Sequence, residues 1–144
     1  MDTVKFSCIV NTNIPTNPIN LKILLDDKIM FDRNIESEEE VHFEFNEDNQ
    51  DHILNFVISG KTDDHNIRDD DGKILDSTEI SITNIAFDDI DISSIIMVNP
   101  LKYEHNFNGN GDNVEDKFYD IAGCNGTVEL KFSTPIYLWI LENM

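Results

Sequence analysis

Three observations predict an all-β protein, an antiparallel β-sandwich of jelly-roll type. Apolar residues recur at every second position in short runs. Turn-forming residues separate those runs, and no stretch carries an apolar stripe at helical spacing. About nine or ten short antiparallel strands follow from this pattern, and such a set closes over a core as two packed sheets more readily than as a barrel.

Val4, Phe6, Cys8 and Val10 alternate with Lys5, Ser7 and Ile9 to give the first strand. Asn11 to Asn20, with Pro15 and Pro18, reads as a loop, and Leu21 to Leu25 as the second strand. Asp26-Asp27 then makes a tight turn into Lys28 to Phe31. Val41, Phe43 and Phe45 mark a half-buried strand, and Leu54, Phe56 and Ile58 another. Lys61 to Thr78 is expected to be a long polar loop. Ile80 and Ile82 are followed by Ile85 and Phe87 in shifted phase, which predicts a bulge. Ile95 to Val98 and Leu101 to Phe107 are further strands. Val128, Leu130 and Phe132 form one more, with Asn125-Gly126 ahead of it as a hairpin turn. Thr134 to Met144 is apolar on both faces of a strand. It is either a central core strand or a terminal strand that docks on a neighbour through Tyr137 and Trp139.

The 144 residues fit one domain, 1–144, with 40% hydrophobic residues to build its core. With 29 acidic against 10 basic residues the formal net charge is −19, which repels nucleic acid and anionic membranes and suits a cation or a basic protein partner. The N-terminus MDTVKFSCIV lacks the basic and apolar segments of a signal peptide. The apolar run Ile136 to Leu141 is too short to span a bilayer, so neither secretion nor membrane insertion is expected. Cys8 and Cys124 fit no metal or redox spacing. They read as free thiols, Cys8 buried, or as a disulfide between terminal strands.

Three segments carry candidate sites. The stretch Asp63 to Asp76 crowds six carboxylates, Asp63, Asp64, Asp69, Asp70, Asp71 and Asp76, into an irregular loop. Hard cations take such oxygen ligands, so calcium is the expected cofactor, held by Asp69, Asp71 and Asp76; the alternative is a solvated acidic tip. Asp88, Asp89 and Asp91, and the acid-rich run Glu36 to Asp51, read as solvated faces. The amide-rich loop Asn106 to Asp112 follows Tyr103, His105 and Phe107, which share one strand face. Tyr103, His105, Asn108, Asn110 and Asp112 would suit a sugar, with a ring stacking on the pyranose and amides bonding its hydroxyls; core packing explains the aromatics equally well. No nucleophile elbow, phosphate-binding glycine loop or zinc-type His pair is present, so a non-catalytic role is expected.

LKILLDDKIMFD (Leu21 to Asp32), the block from Asp51 to His65 through Ile74 to Ile92, and GCNGTVELKFSTPIYLWILENM (Gly123 to Met144) together cover more than half the chain. In them the chain resembles small acidic proteins of marine tailed bacteriophages, related to carbohydrate-binding-module β-sandwiches. The run Asp76 to Ile82 also resembles strands of calcium-dependent xylan-binding modules. The resemblance implies a virion-associated protein, made in the host cytoplasm. Its expected partners are other virion proteins, a host-surface glycan, or both, with the chain acting as an oligomer or part of an assembly. The alternative it leaves is a capsid or tail decoration protein with no glycan ligand.

Overall fold

The alternation of the first strand survives intact. In β1 (Thr3–Thr12) Val4, Phe6, Cys8 and Val10 are buried, while Lys5, Ser7 and Ile9 are half-exposed. The computed structural model describes residues 2–106 and 111–144. Next come β2 (Asn20–Leu25) and β3 (Lys28–Asn34), joined by Asp26-Asp27. These two have φ of 49° and 70°, the left-handed pair that a two-residue hairpin requires and that Asp tolerates better than most side chains. β4 (Glu39–Asn46) and β5 (Asp51–Ser59) follow as their alternation predicts.

β8 (Ile80–Phe87) carries the anticipated bulge. Its register against β1 slips between Ser7 and Ile9, with Asn84 exposed at φ 53°, so that Ile82 and Ile85 both point inward across the phase change. Downstream lie β9 (Ile90–Asp91), β10 (Leu101–His105), β11 (Val114–Phe118), β12 (Ile121–Ala122) and β13 (Gly126–Ser133).

One sheet runs β12-β8-β1-β4, with β9 paired on β8. The other runs β11-β10-β13-β5-β2-β3, and each of these pairings is antiparallel. Inward side chains of both sheets share one core. Phe6 of the first sheet lies 6.2 Å from Phe56 of the second, and Phe87 lies 4.9 Å from Phe132. Cys8 and Cys124 are both free; burial pushes the Cys8 thiol up to about 12.

Four expectations are corrected. Ile95 to Val98 is not a strand but part of a short helix, α1 (Ser93–Val98), opened by Asp91, whose carboxylate accepts from the Ser93 N–H at 2.7 Å. The terminal segment is likewise a helix, α2 (Ile136–Asn143), entered through a cis Thr134–Pro135 bond. A run that is apolar at every position has no period to separate strand from helix. Tertiary structure decides: as a helix the segment buries Ile136 and Ile140 on one face, with Trp139 packed beside Phe87 and Phe132. Lys61 to Thr78 is not an unstructured loop. It forms a 3-10 turn (Asp63–His65) and a hairpin of β6 (Asn66–Arg68) and β7 (Ile74–Ser77), a two-stranded sheet of its own. Finally, Asn125-Gly126 makes no hairpin turn. Gly126 is already in β13, where a Cβ would sit 2.2 Å from the Glu104 carbonyl oxygen, so glycine is needed there for close strand approach.

Candidate functional site

The β6–β7 hairpin is firmly held at its base and free beyond it. His65 is buried; its Nδ1 accepts from the Thr62 N–H at 3.0 Å and its Nε2 donates to the Pro18 carbonyl at 3.1 Å. The fully buried Thr78 bonds the His65 carbonyl through its N–H. Past this anchor Ile67, Ile74 and Leu75 are exposed on the arm.

Two of the three carboxylates expected to hold calcium, those of Asp69 and Asp76, accept from backbone N–H groups of their own hairpin. One Asp69 oxygen accepts from the N–H groups of Asp71 and Lys73, both at 2.9 Å, shaping the turn at Gly72, whose φ is 83°. Asp76 accepts from its neighbour Ser77 N–H at 2.8 Å, and Asp71 is exposed. Arg68 supplies a cation to the cluster: it donates to Asp63 at 2.6 Å and to the Gly72 carbonyl at 2.8 Å, and holds the Asp63 carboxyl below its usual range. Among the described residues no three His, Cys, Asp or Glu side chains gather as metal ligands would.

The expected sugar platform divides. Tyr103 is 7% exposed, so its ring belongs to the core. Its hydroxyl donates to the Cys124 carbonyl at 2.5 Å and accepts from the Cys124 N–H at 2.9 Å, tying β10 to the bend before β13. Burial pushes this phenol up to about 12. His105 packs 4.7 Å from Tyr103 and bonds Asp116 at 2.8 Å. Asp112 is exposed, while Phe107, Asn108 and Asn110 lie outside the described residues. The surface beside His105 is a polar groove lined by Glu104, Asn113, Glu115, Asn125 and Thr127.

The two assembly residues also part company. Trp139 is half-buried against its own core, 6.2 Å from Phe87 and 6.3 Å from Phe132. Tyr137 is exposed, and its hydroxyl donates to Asp88 at 3.0 Å. With Leu138, Leu141 and Met144 it makes an outer face of α2 that is apolar and more than half exposed at every position. Glu47 fixes the helix start by accepting from the Ile136 N–H at 2.8 Å, an anion at the positive end of the helix dipole.

Two arrangements escaped sequence reasoning. His52, on β5, lies between Asp26 at 2.5 Å and Asp48 at 2.8 Å, one carboxylate on each ring nitrogen, and stacks on Phe132. Only a protonated ring donates from both nitrogens. Burial alone would lower the His52 pKa, but the bonds to Asp26 and Asp48 outweigh it and raise it. Asp48 also accepts from the Thr134 hydroxyl at 3.0 Å, which links the cluster to the entry of α2. Asp48, four residues before His52, was the single local hint. The second is a cleft between β8, α1 and the end of β11, with Tyr119 and Asp120 at its mouth. Its signal was the Phe118-Tyr119-Asp120 run, one buried ring followed by one exposed.

No family model, no curated protein and no solved structure matches the chain.

Proposed function

We propose that this protein is a non-catalytic binding module, a jelly-roll β-sandwich akin to carbohydrate-binding modules, that works as a component of a bacteriophage particle by docking on another particle protein. The observation that carries this reading is the apolar outer face of α2, where Tyr137, Leu138, Leu141 and Met144 stand in solvent on a helix whose other face is packed. A contiguous apolar face of this kind marks an interaction surface. Charge selects its partner. At net −19, and with Glu47, Asp88 and Glu142 around the helix, a second copy is repelled and a basic surface is attracted. The phage setting rests on the resemblance of the three sequence blocks.

The test is mass spectrometry of purified particles from a host expressing either the natural chain or Leu138→Glu/Leu141→Glu. The natural chain should co-purify with particles and the double variant, folded by circular dichroism, should not. Equal retention of both, or absence of the natural chain from particles, sinks the reading.

A second reading, recognition of a host-surface glycan, is favoured by the polar groove beside His105 and the exposed Asp112. Glycan-array binding that is lost in Asn113→Ala/Asn125→Ala would support it. An array blank with and without calcium would remove it.

A further inference from the structure

The cleft at Tyr119 has a floor and a rim of opposite character. Ile82, Ile85, Leu101 and Phe118 are buried and form its floor, and Ile96 of α1 closes one side. Toward solvent stand Met97 and Tyr119, 80% and 66% exposed, and Asn84 and Asp120 complete the lining. Asn84 and Asp120 are both held in the left-handed region, at φ 53° and 70°. The Asp120 carbonyl accepts from the Ile82 N–H at 2.8 Å, which fixes this corner to β8 before any ligand arrives. None of the residues lining the cleft is Lys or Arg.

Each part restricts the ligand. A volume of about 270 Å³ takes one ring or a short branched chain. The apolar floor asks for a hydrocarbon body. Tyr119 and Asp120 both line the cleft and no base does, which asks for a cation, because a ring face and a carboxylate both attract positive charge. The net charge of −19 works in the same direction at longer range.

We propose that this cleft binds a hydrophobic ammonium cation, its apolar body on the Ile85–Phe118 floor and its charged head between the Tyr119 ring and the Asp120 carboxylate. The site is independent of the outer face of α2, so it stands whether or not that face docks on a partner.

The full chain is titrated with phenethylammonium chloride at low salt and followed by two-dimensional amide NMR. Phenethyl alcohol serves as the neutral probe and methylammonium as the cation without a hydrocarbon body. The ammonium should give saturable shifts confined to Ile82–Ile85, Ile96, Met97 and Phe118–Asp120. It should bind roughly tenfold tighter than the alcohol, the size expected of one cation–ring and one partly exposed charge contact together. Methylammonium should give no saturable shift there. Asp120→Asn, a residue that accepts the same left-handed backbone, should weaken the ammonium about threefold, leaving the cation–ring share of its preference, and leave the alcohol unchanged. Tyr119→Ala should weaken both. Equal affinity for ammonium and alcohol, shifts spread over the acidic surface, or no shift at the cleft would each overturn the assignment.

Discussion

Asp26 and Asp48 beside His52, and Asp69 and Asp71 at the β6–β7 hairpin tip, are the same side chain in opposite circumstances. The first pair clamps a buried ring from both sides and joins two turns to the strand β5, with Thr134 carrying the link on toward α2. At the tip, Asp69 shapes its own turn and Asp71 faces solvent, on an arm that stands apart from both main sheets. The difference teaches that acid content says little about what an acid does. A carboxylate ties distant parts of the fold together when a buried cation faces it, and at an exposed tip it serves only its own turn or the solvent.

The largest expected contrast is in stability. His52→Ala removes a ring packed on Phe132 and Phe45 and leaves two carboxylates facing the gap; urea unfolding should show a loss of about 2–3 kcal/mol. Asp69→Ala should cost about 0.5 kcal/mol or less, because the arm contributes little to the core. Equal losses in the two variants would erase the distinction.

Next in size is the pH dependence. The folded pKa of His52 is raised above 6.5, so its contribution is fully present below that value and is lost as pH rises through the folded pKa. The Asp48 pKa is lowered, first by its bond to His52, so its contribution is present above 3.8 and lost as pH falls through the folded value. Both hold between 3.8 and 6.5. Unfolding measured from about pH 6 to about pH 9 should therefore show stability falling in the natural chain. The fall should be much smaller in His52→Gln, and an identical profile would show that the ring is not held charged.

Amide exchange sharpens the same contrast locally. In Asp69→Ala, N–H groups of Asn66 to Ser77 should exchange faster while those of β5 and β13 keep the rate of the natural chain. The smallest effect concerns metal. Millimolar calcium should move the thermal midpoint no further than magnesium at equal ionic strength, because both screen a surface of net −19 and the Asp69 oxygen already serves its own turn. A calcium-specific rise abolished in Asp69→Asn/Asp71→Asn would restore the metal reading of the hairpin.

Features that depend on near neighbours could be read from residue order alone. Alternation in β1, β5 and β13, the Asp26-Asp27 turn and the bulge at Asn84 were all legible, because a two-residue period and a left-handed turn are properties of a few adjacent residues. The extreme negative charge, with its consequences for partners, needed only counting.

The rest depends on residues far apart in the chain. Thr134 to Met144 holds a helix that buries Ile136 and Ile140 on the distant core, and local periodicity carries no record of that. Tyr103 was assigned to the core by the bend at Cys124, and Trp139 by Phe87 and Phe132. The cleft at Tyr119 needed β8, α1 and β11 together, and the His52 cluster needed Asp26 from another strand's turn. Strand direction and turn type are set by the backbone torsions of adjacent residues. Burial, and with it the charge state and chemistry of each polar side chain, is set by whatever the fold brings against it.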